Sequence, residues 1–275
     1  MMDRSPFRSA ALLLAMLALP AVCAAQGSEA PSGNTDGAAL AKQLSNPIAS
    51  LISVPLQYNY NDGYGGGGSQ STLNIQPVIP ISISPSWNLI SRTIIPLVDQ
   101  DNLAPGSGSQ KGLGNITQSF FFSPKDPTVG GLIWGVGPVF QLPTATDNVA
   151  PDQWAAGITG VALKQSGPWT VGALANHLWS ISDEDRFGKV SATFVQSFLS
   201  YTTSKATSFT LNTESTHNWE TDEWSVPINC VVSQVVKLGA QPVQLGLGAR
   251  YWADAPEDGP DGWGLRAQMT FLFPK

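Results

Sequence analysis

The side chains that could carry out chemistry in this sequence are few. His177 and His217 are the only histidines, so a zinc site built on them would need carboxylates to complete its ligand set. Asn176 and His177, together with a serine elsewhere in the chain, could form a hydrolase site. The motifs GxSxG, HExxH and CxxC do not occur after residue 25. We therefore predict that the protein is not an enzyme, with no catalytic residue, no cofactor and no bound metal.

Three loop-like stretches have compositions that can bind ligands. The stretch GYGGGGSQS (residues 63–71) is rich in glycine, but it lacks the Lys-Ser or Lys-Thr of a phosphate-binding loop. The acidic stretches DEDRFG and DAPEDGPDG supply the oxygen ligands that Ca²⁺ favours. Neither has the Asp-x-Asp-x-Asp-Gly spacing of a dedicated calcium loop. We interpret all three as solvated surface loops.

Four charged residues differ from the rest because they lie inside segments that are otherwise almost uncharged. These residues are Arg92, Glu214, Arg250 and Arg266. Each occupies the polar phase of a segment in which polar and apolar residues alternate, as in VQLGLGARYW (residues 243–252). Alternation with a period of two predicts a β-strand with one apolar and one polar face. In a soluble sandwich the apolar face packs on a second sheet, whereas in a membrane barrel it meets lipid and the polar face lines the lumen.

Twelve segments with this character occur along the chain. Their approximate bounds are 50–60, 70–83, 86–97, 113–123, 131–142, 153–165, 168–180, 189–201, 206–216, 224–237, 241–252 and 263–273. The alternation is clean in several of them, but it is blurred in 168–180 and 189–201. Many short strands separated by turn-forming residues indicate an all-β fold.

The connections between these segments alternate in length and in charge. The odd-numbered connections are long and hold most of the 20 acidic residues, whereas the even-numbered ones are shorter and carry Lys125, Lys205 and Lys237, with Lys164 just before one. Short turns on one rim and long loops on the other are typical of an outer-membrane barrel. A strand of about 11 residues tilted by about 45° rises about 26 Å, which matches a lipid-facing band of about 25 Å. We predict a transmembrane antiparallel up-and-down β-barrel of about 12 strands, with both termini on the short-turn side.

The N-terminal region has a different character. Residues 1–25 combine two arginines, an apolar run and small residues, which predicts a signal peptide. Residues 26–48 form a segment with a short helix over 36–46, where Asp36 can cap the helix and Pro47 stops it. This helix could lie inside the lumen or in the periplasm. The barrel itself is predicted to span residues 49–275.

Composition excludes several classes of function. The formal charge of −6 disfavours a nucleic-acid partner. After cleavage of a signal peptide Cys230 is the only cysteine, so no intramolecular disulfide can form. The low content of charged residues, 12%, does not fit disorder, which needs high charge and low hydrophobicity.

Several stretches resemble a known family of outer-membrane barrels. They are LAKQLSNPIASLISVPLQYNYNDGYG, LNIQPVIPISISPSWNLISRTIIPLV, WGVGPVFQLPTATD, NTESTHNWE, WSVPIN, QPVQLGLGARYW and GWGLRAQMTFLFPK. The family is described as "putative MetA-pathway of phenol degradation", and its members are often called transporters. The resemblance extends from about Leu40 to Lys275. It implies a barrel in the outer membrane of a Gram-negative bacterium and uptake of hydrophobic or aromatic solutes, and it supplies no catalytic motif.

Together these observations predict an outer-membrane channel for the passive passage of small, hydrophobic or aromatic solutes. Two alternatives stay open: a general porin for polar solutes, and a barrel enzyme that acts on lipid. Arg92, Glu214, Arg250 and Arg266 are the candidate lumen residues, either as ion pairs that brace the barrel or as a selectivity element. A symmetric last hairpin centred near Asp258 places Arg250 opposite Arg266, with Glu214 as their counterion. The expected partners are membrane lipid and lipopolysaccharide, the solutes, and the barrel assembly machinery through the C-terminal strand.

Overall fold

The computed structural model of the chain describes residues 33–150, 153–182 and 188–274. The predicted signal peptide lies outside these residues. One helix precedes fifteen strand segments: α1 Gly33–Leu44, β1 Ile52–Asn61, β2 Ser69–Ile75, β3 Val78–Ser82, β4 Trp87–Asp101, β5 Ser109–Leu113, β6 Ile116–Pro124, β7 Leu132–Leu142, β8 Ala155–Ser166, β9 Trp169–Ser180, β10 Ser191–Thr202, β11 Thr207–Thr213, β12 Ser215–Asn218, β13 Glu223–Leu238, β14 Gln241–Asp254 and β15 Gly262–Phe273. In the described part of the chain no helix has the length and apolar character needed to span a membrane.

The strand segments form one closed antiparallel sheet. Strands that follow one another in the chain pair with each other, and β1 pairs with β15, for example Ile52 with Phe273. Short interruptions divide three strands into the segment pairs β2 and β3, β5 and β6, and β11 and β12. The fifteen segments therefore make twelve strands. The predicted 12-strand up-and-down barrel is confirmed.

The two faces of the sheet differ as the alternation predicts. In β15 the inward positions include Arg266 and Thr270, which are buried. Leu265, the residue before Arg266, is 45% exposed on the outer face. Ile158 and Leu247 are more than 60% exposed on the same outer face. Large apolar side chains that point away from the barrel axis have no second sheet to cover them, which is the arrangement of a barrel in lipid. A soluble sandwich is therefore excluded.

Aromatic side chains form two bands on the outer face. Near the short-turn end Trp169 contacts Tyr201, with ring centroids 4.8 Å apart. Near the long-loop end Tyr251 contacts Trp263 at 5.0 Å, and Trp179 ends the strand that Trp169 begins. Ten residues of tilted strand separate Trp169 from Trp179, which corresponds to a rise of about 23 Å. Two aromatic girdles at this separation are the mark of a strand barrel that spans a membrane.

The connections sort by length, with one exception on each rim. At one rim, β8–β9 and β13–β14 are joined by two-residue turns, in which Gly167 and Gly239 take positive φ angles. On that same rim, however, residues 125–131 form a longer connection between β6 and β7. On the opposite rim the predicted loop HNWETDE is reduced to a turn of residues 219–222, because β12 and β13 extend to Asn218 and Glu223.

The helix begins earlier than predicted and lies against the barrel. It starts at Gly33, so Asp36 lies inside the helix and does not cap it, and the helix ends at Leu44. Lys42 Nζ donates a hydrogen bond to the carbonyl of Gly167 in a short turn (2.8 Å). The segment that follows enters the lumen, where Ile48 packs among inward residues such as Val78 and Phe198. The two predicted locations concerned the helix; the structure has the helix against the short-turn rim and the residues after it in the lumen.

Candidate functional site

The inner wall of the barrel has a polar part and an apolar part. Asparagine, glutamine, serine and threonine occupy many inward positions, such as Asn59 and Gln76, whereas Phe121, Leu163 and Leu174 belong to a buried apolar cluster around Ile48. At the long-loop end the amides of Gln70, Gln100 and Gln110 form a chain of hydrogen bonds, with Gln70 donating to Gln100 at 3.3 Å and Gln100 to Gln110 at 3.2 Å. These residues line a cavity of about 760 Å³ beneath the loops.

Deeper in the lumen, Arg266 and Glu214 form a buried bidentate ion pair. Nη1 and Nη2 of Arg266 lie 2.8 and 2.6 Å from Oε1 and Oε2 of Glu214. The Arg266 Nε donates to the side-chain oxygen of Asn59 at 2.8 Å. Only 1% of Arg266 is exposed. Two parallel charge-assisted hydrogen bonds fix the guanidinium plane and make this pair strong.

Arg250 is the second cation at the same carboxylate. Its Nη2 lies 3.9 Å from Oε2 of Glu214, and its guanidinium lies 4.7 Å from the ring centroid of Trp252, within the range of a cation–π interaction. The Nε of Arg250 is buried and has no hydrogen-bond partner among the described residues. Arg250 therefore has one hydrogen-bonding group that is not satisfied.

Arg92 approaches from the other side of the barrel. It lies on β4, and its Nη2 donates to Oε1 of Gln76 at 3.0 Å. Arg92, Glu214 and Arg266 all line one internal cavity of about 200 Å³ between the wall and the segment after α1. The four candidate residues are thus brought to one level of the lumen, three of them in direct contact or close approach and Arg92 across the cavity.

The predicted pairing of Arg250 with Arg266 is wrong by one residue pair. Arg250 faces Gly264 and Arg266 faces Gly248 in the β14–β15 ladder. The last hairpin is asymmetric, because the ladder ends at Trp252 opposite Gly262 while β14 continues to Asp254 beside β13. The offset keeps two like charges from lying directly opposite each other, which would be unfavourable. Both arginines still face the lumen, because a shift of two residues preserves the side-chain parity.

Asn59, Gln76 and Trp252 also belong to this cluster and were not singled out from the sequence. The alternation places all three on inner faces, so their direction could have been predicted. Their partners lie on strands that are distant in sequence: Asn59 and Arg266 are separated by 207 positions. Only the register of the closed barrel brings such residues together.

A tyrosine lies above Arg250 at the long-loop end. Tyr64 belongs to the glycine-rich loop, and its hydroxyl donates to Oε1 of Gln70 at 3.2 Å. Burial raises the pKa of Tyr64 to about 12, and the charge of Arg250 and a hydrogen bond with Asn61 offset this only in part. The phenol is therefore neutral and serves as a hydrogen-bond donor at the edge of the site.

The histidines lie elsewhere, on the outer face. His177 Nδ1 is 2.7 Å from Oγ1 of Thr193, and His217 Nε2 is 3.2 Å from Asp222. Both stack among the tryptophans of the long-loop girdle, where Trp219 lies 4.6 Å from His217. Asn176 precedes His177 in the strand and so points to the opposite, inner face. The Asn176–His177 pair considered for a hydrolase therefore does not converge on one site.

Comparison with known proteins supports the fold. No family model matches the sequence, and no curated protein sequence matches it. An outer membrane channel from Pseudomonas putida F1 has a TM-score of 0.62 with 17% identity, covering 82% of this chain and 96% of that one. The outer membrane phospholipase A from Escherichia coli has a TM-score of 0.48 with 10% identity, covering 88% and 98%. The β domain of the Bordetella autotransporter BrkA has a TM-score of 0.46 with 11% identity, covering 81% and 99%. The fold is thus that of outer-membrane barrels of Gram-negative bacteria.

Proposed function

We propose that the chain is an outer-membrane channel that lets small solutes pass the membrane passively. The observation that carries this proposal is the lumen, where a buried arginine–glutamate cluster lies next to an internal cavity. Charged residues facing lipid near the midplane would cost about 2–4 kcal/mol each, and the lumen avoids this cost.

For the solute class we propose small aromatic or hydrophobic compounds. The resemblance to the "putative MetA-pathway of phenol degradation" family suggests this class, and the cavity supports it in part. Beside its polar groups the cavity has an apolar wall that includes Val78, Phe198 and Val231. A ring with one polar substituent matches such a lining better than a sugar does.

A general pore for polar solutes is the second candidate. It is favoured by the amides of Gln70, Gln100 and Gln110 at the long-loop end. The two candidates differ in which solutes the barrel admits, because a wide polar pore would pass sugars and amino acids at rates set by size alone.

Uptake into proteoliposomes distinguishes these functions. Purified barrel is reconstituted, and the entry of a panel of aromatic, aliphatic and sugar solutes is compared with that into protein-free vesicles, which corrects for diffusion through lipid. We expect protein-dependent uptake of small aromatic compounds. Equal uptake of sugars would favour the general pore, and no protein-dependent uptake of any solute would contradict a channel.

The membrane setting is part of the proposal. We propose that the long acidic loops face outward and meet lipopolysaccharide through bridging divalent ions. The short turns and both chain termini then face the periplasm. We further propose that β15, whose outer face is apolar, is the strand that the barrel assembly machinery recognises.

A further inference from the structure

The charges in the lumen do not balance. Among the described residues the cluster contains three guanidinium groups, on Arg92, Arg250 and Arg266, and one carboxylate, on Glu214. Other ionised side chains of the described strands lie at the rims or outside, such as Lys164 on the outer face and the Lys111–Asp99 pair at the long-loop end. The interior therefore has two positive charges more than negative ones.

This excess is accompanied by unused hydrogen-bonding capacity. A guanidinium has five donors, yet Arg92 makes a side-chain hydrogen bond with Gln76 alone and the buried Nε of Arg250 has no partner in the described part of the chain. A buried charge is unfavourable unless it is paired and hydrogen-bonded. An anion in the cavity that Arg92 and Arg266 line would supply a negative charge and hydrogen-bond acceptors.

The lining and the volume of the cavity beside the cluster indicate the size and polarity of the rest of the ligand. Its lining contains the charged residues Arg92, Glu214 and Arg266 and also the apolar residues Leu51, Phe198 and Val231. A volume of about 200 Å³ admits one small molecule. The complementary ligand has one anionic group at one end and a compact apolar body at the other.

The geometry of Arg266 identifies the anionic group. Glu214 binds it with two oxygens at 2.8 and 2.6 Å, so the fork is arranged for a planar carboxylate. We propose that the lumen binds small aromatic carboxylates and that Glu214 is an internal carboxylate which the solute displaces from the arginines. This inference rests on the proposed channel function and names the solute class of that same site.

Displacement explains why a selectivity site would contain its own anion. With Glu214 in place Arg266 stays ordered in the empty lumen, and a passing carboxylate needs only to exchange one planar partner for another. A site with three unopposed arginines would hold the solute too long, because each charge-assisted hydrogen bond slows release. Glu214 therefore sets the affinity to a value that permits passage.

The test compares benzoate with benzamide, which has the same ring and no charge. The chloride current through barrels in planar bilayers is measured as either compound is added, for the unsubstituted protein, Glu214→Gln, Arg92→Gln and Lys164→Gln. Glu214→Gln keeps a hydrogen-bonding side chain, and Lys164→Gln removes a cation from the outer face as a matched control.

We expect benzoate to block the chloride current and benzamide to leave it unchanged. The half-blocking concentration should fall roughly tenfold in Glu214→Gln, rise roughly tenfold in Arg92→Gln and stay unchanged in Lys164→Gln.

A second measurement separates binding from conduction. Saturation-transfer NMR reports benzoate binding to the folded barrel in detergent, and it should follow the same order of variants. Binding without any current would support the site and contradict the channel. Current with equal effects of benzoate and benzamide, or with no dependence on Glu214 and Arg92, would overturn the carboxylate site and leave the channel standing. Equal block by inorganic phosphate would show that the site recognises charge alone, and would also overturn it.

Discussion

At the scale of single residues, Arg266 is the most constrained group in the barrel. It is almost fully buried, and its three nitrogens donate to Glu214 and Asn59 at 2.6–2.8 Å. Removal of one partner of such a pair leaves the other as an uncompensated buried charge. A substitution of Arg266 is therefore expected to change the stability of the barrel as well as its interaction with solutes, and the two effects need separate measurements.

We expect Arg266→Ala to lower the free energy of unfolding by about 3–5 kcal/mol, the usual effect of breaking a buried ion pair. The midpoint of urea unfolding of the reconstituted barrel measures this. The double variant Arg266→Ala with Glu214→Ala should recover part of the loss, because no buried carboxylate is then left unpaired. A single variant as stable as the parent would show that the pair does not brace the wall.

Tyr64 supplies a prediction on pH. Burial raises its pKa to about 12, above the value of about 10 in an unfolded chain, so the folded loop favours the neutral phenol. The stabilisation is present below pH of about 10 and is lost as the pH rises through 12. We expect phenolate absorbance with a step near pH 12 that is absent in Tyr64→Phe. A difference between the two titration curves with its midpoint at a pH of about 10, the usual value for tyrosine, would contradict the burial of this phenol.

At the scale of elements, the glycine-rich loop has a packing role that its composition suggested only indirectly. A Cβ added to Gly66 would overlap the backbone carbonyl of Asn102 in the next long loop. The Gly66 N–H donates to the Leu103 carbonyl at 3.1 Å, and the Gly65 N–H donates to that of Asp258 at 3.3 Å. Three long loops therefore meet at close backbone distance above the lumen.

We expect Gly66→Ala to separate these loops, because the new methyl group has no space. Limited proteolysis of the folded protein should then cut within residues 62–68 or 102–108, and the open-channel conductance should rise. Gly130→Ala is the matched control at the other rim, where an added Cβ has only one atom within 4.0 Å. Equal protease resistance in the two variants would contradict tight loop packing.

The elements also show what the sequence can and cannot predict. The alternation in 206–216 and 263–273 assigned Glu214 and Arg266 to the inner face, because parity is a local property of a strand. Register is not local: the last hairpin is offset by one residue pair, and two strands, β13 and β14, lie between the strand of Glu214 and the strand of Arg266. The helix start at Gly33 was missed because Asp36 is also a plausible cap.

At the scale of the whole molecule, the orientation that we propose in the membrane rests on the sorted rims. The long loops with most of the acidic residues share one end, and the two-residue turns share the other. We expect a cysteine at Asp258 to react with a membrane-impermeant thiol reagent on intact cells, and a cysteine at Lys237 to be protected. Cys230 is replaced by serine in both proteins so that it does not contribute. Labelling at Lys237 alone would invert the proposed orientation.

We propose that the barrel is an open path for ions whose interior carries an excess of positive charge. The most direct test is the reversal potential of the protein in a planar bilayer under a salt gradient. We predict current with anion selectivity, which shifts toward cations in Arg250→Ala and changes little in Lys164→Gln. Cation selectivity of the unsubstituted barrel, or no current from a folded barrel, would contradict the claim.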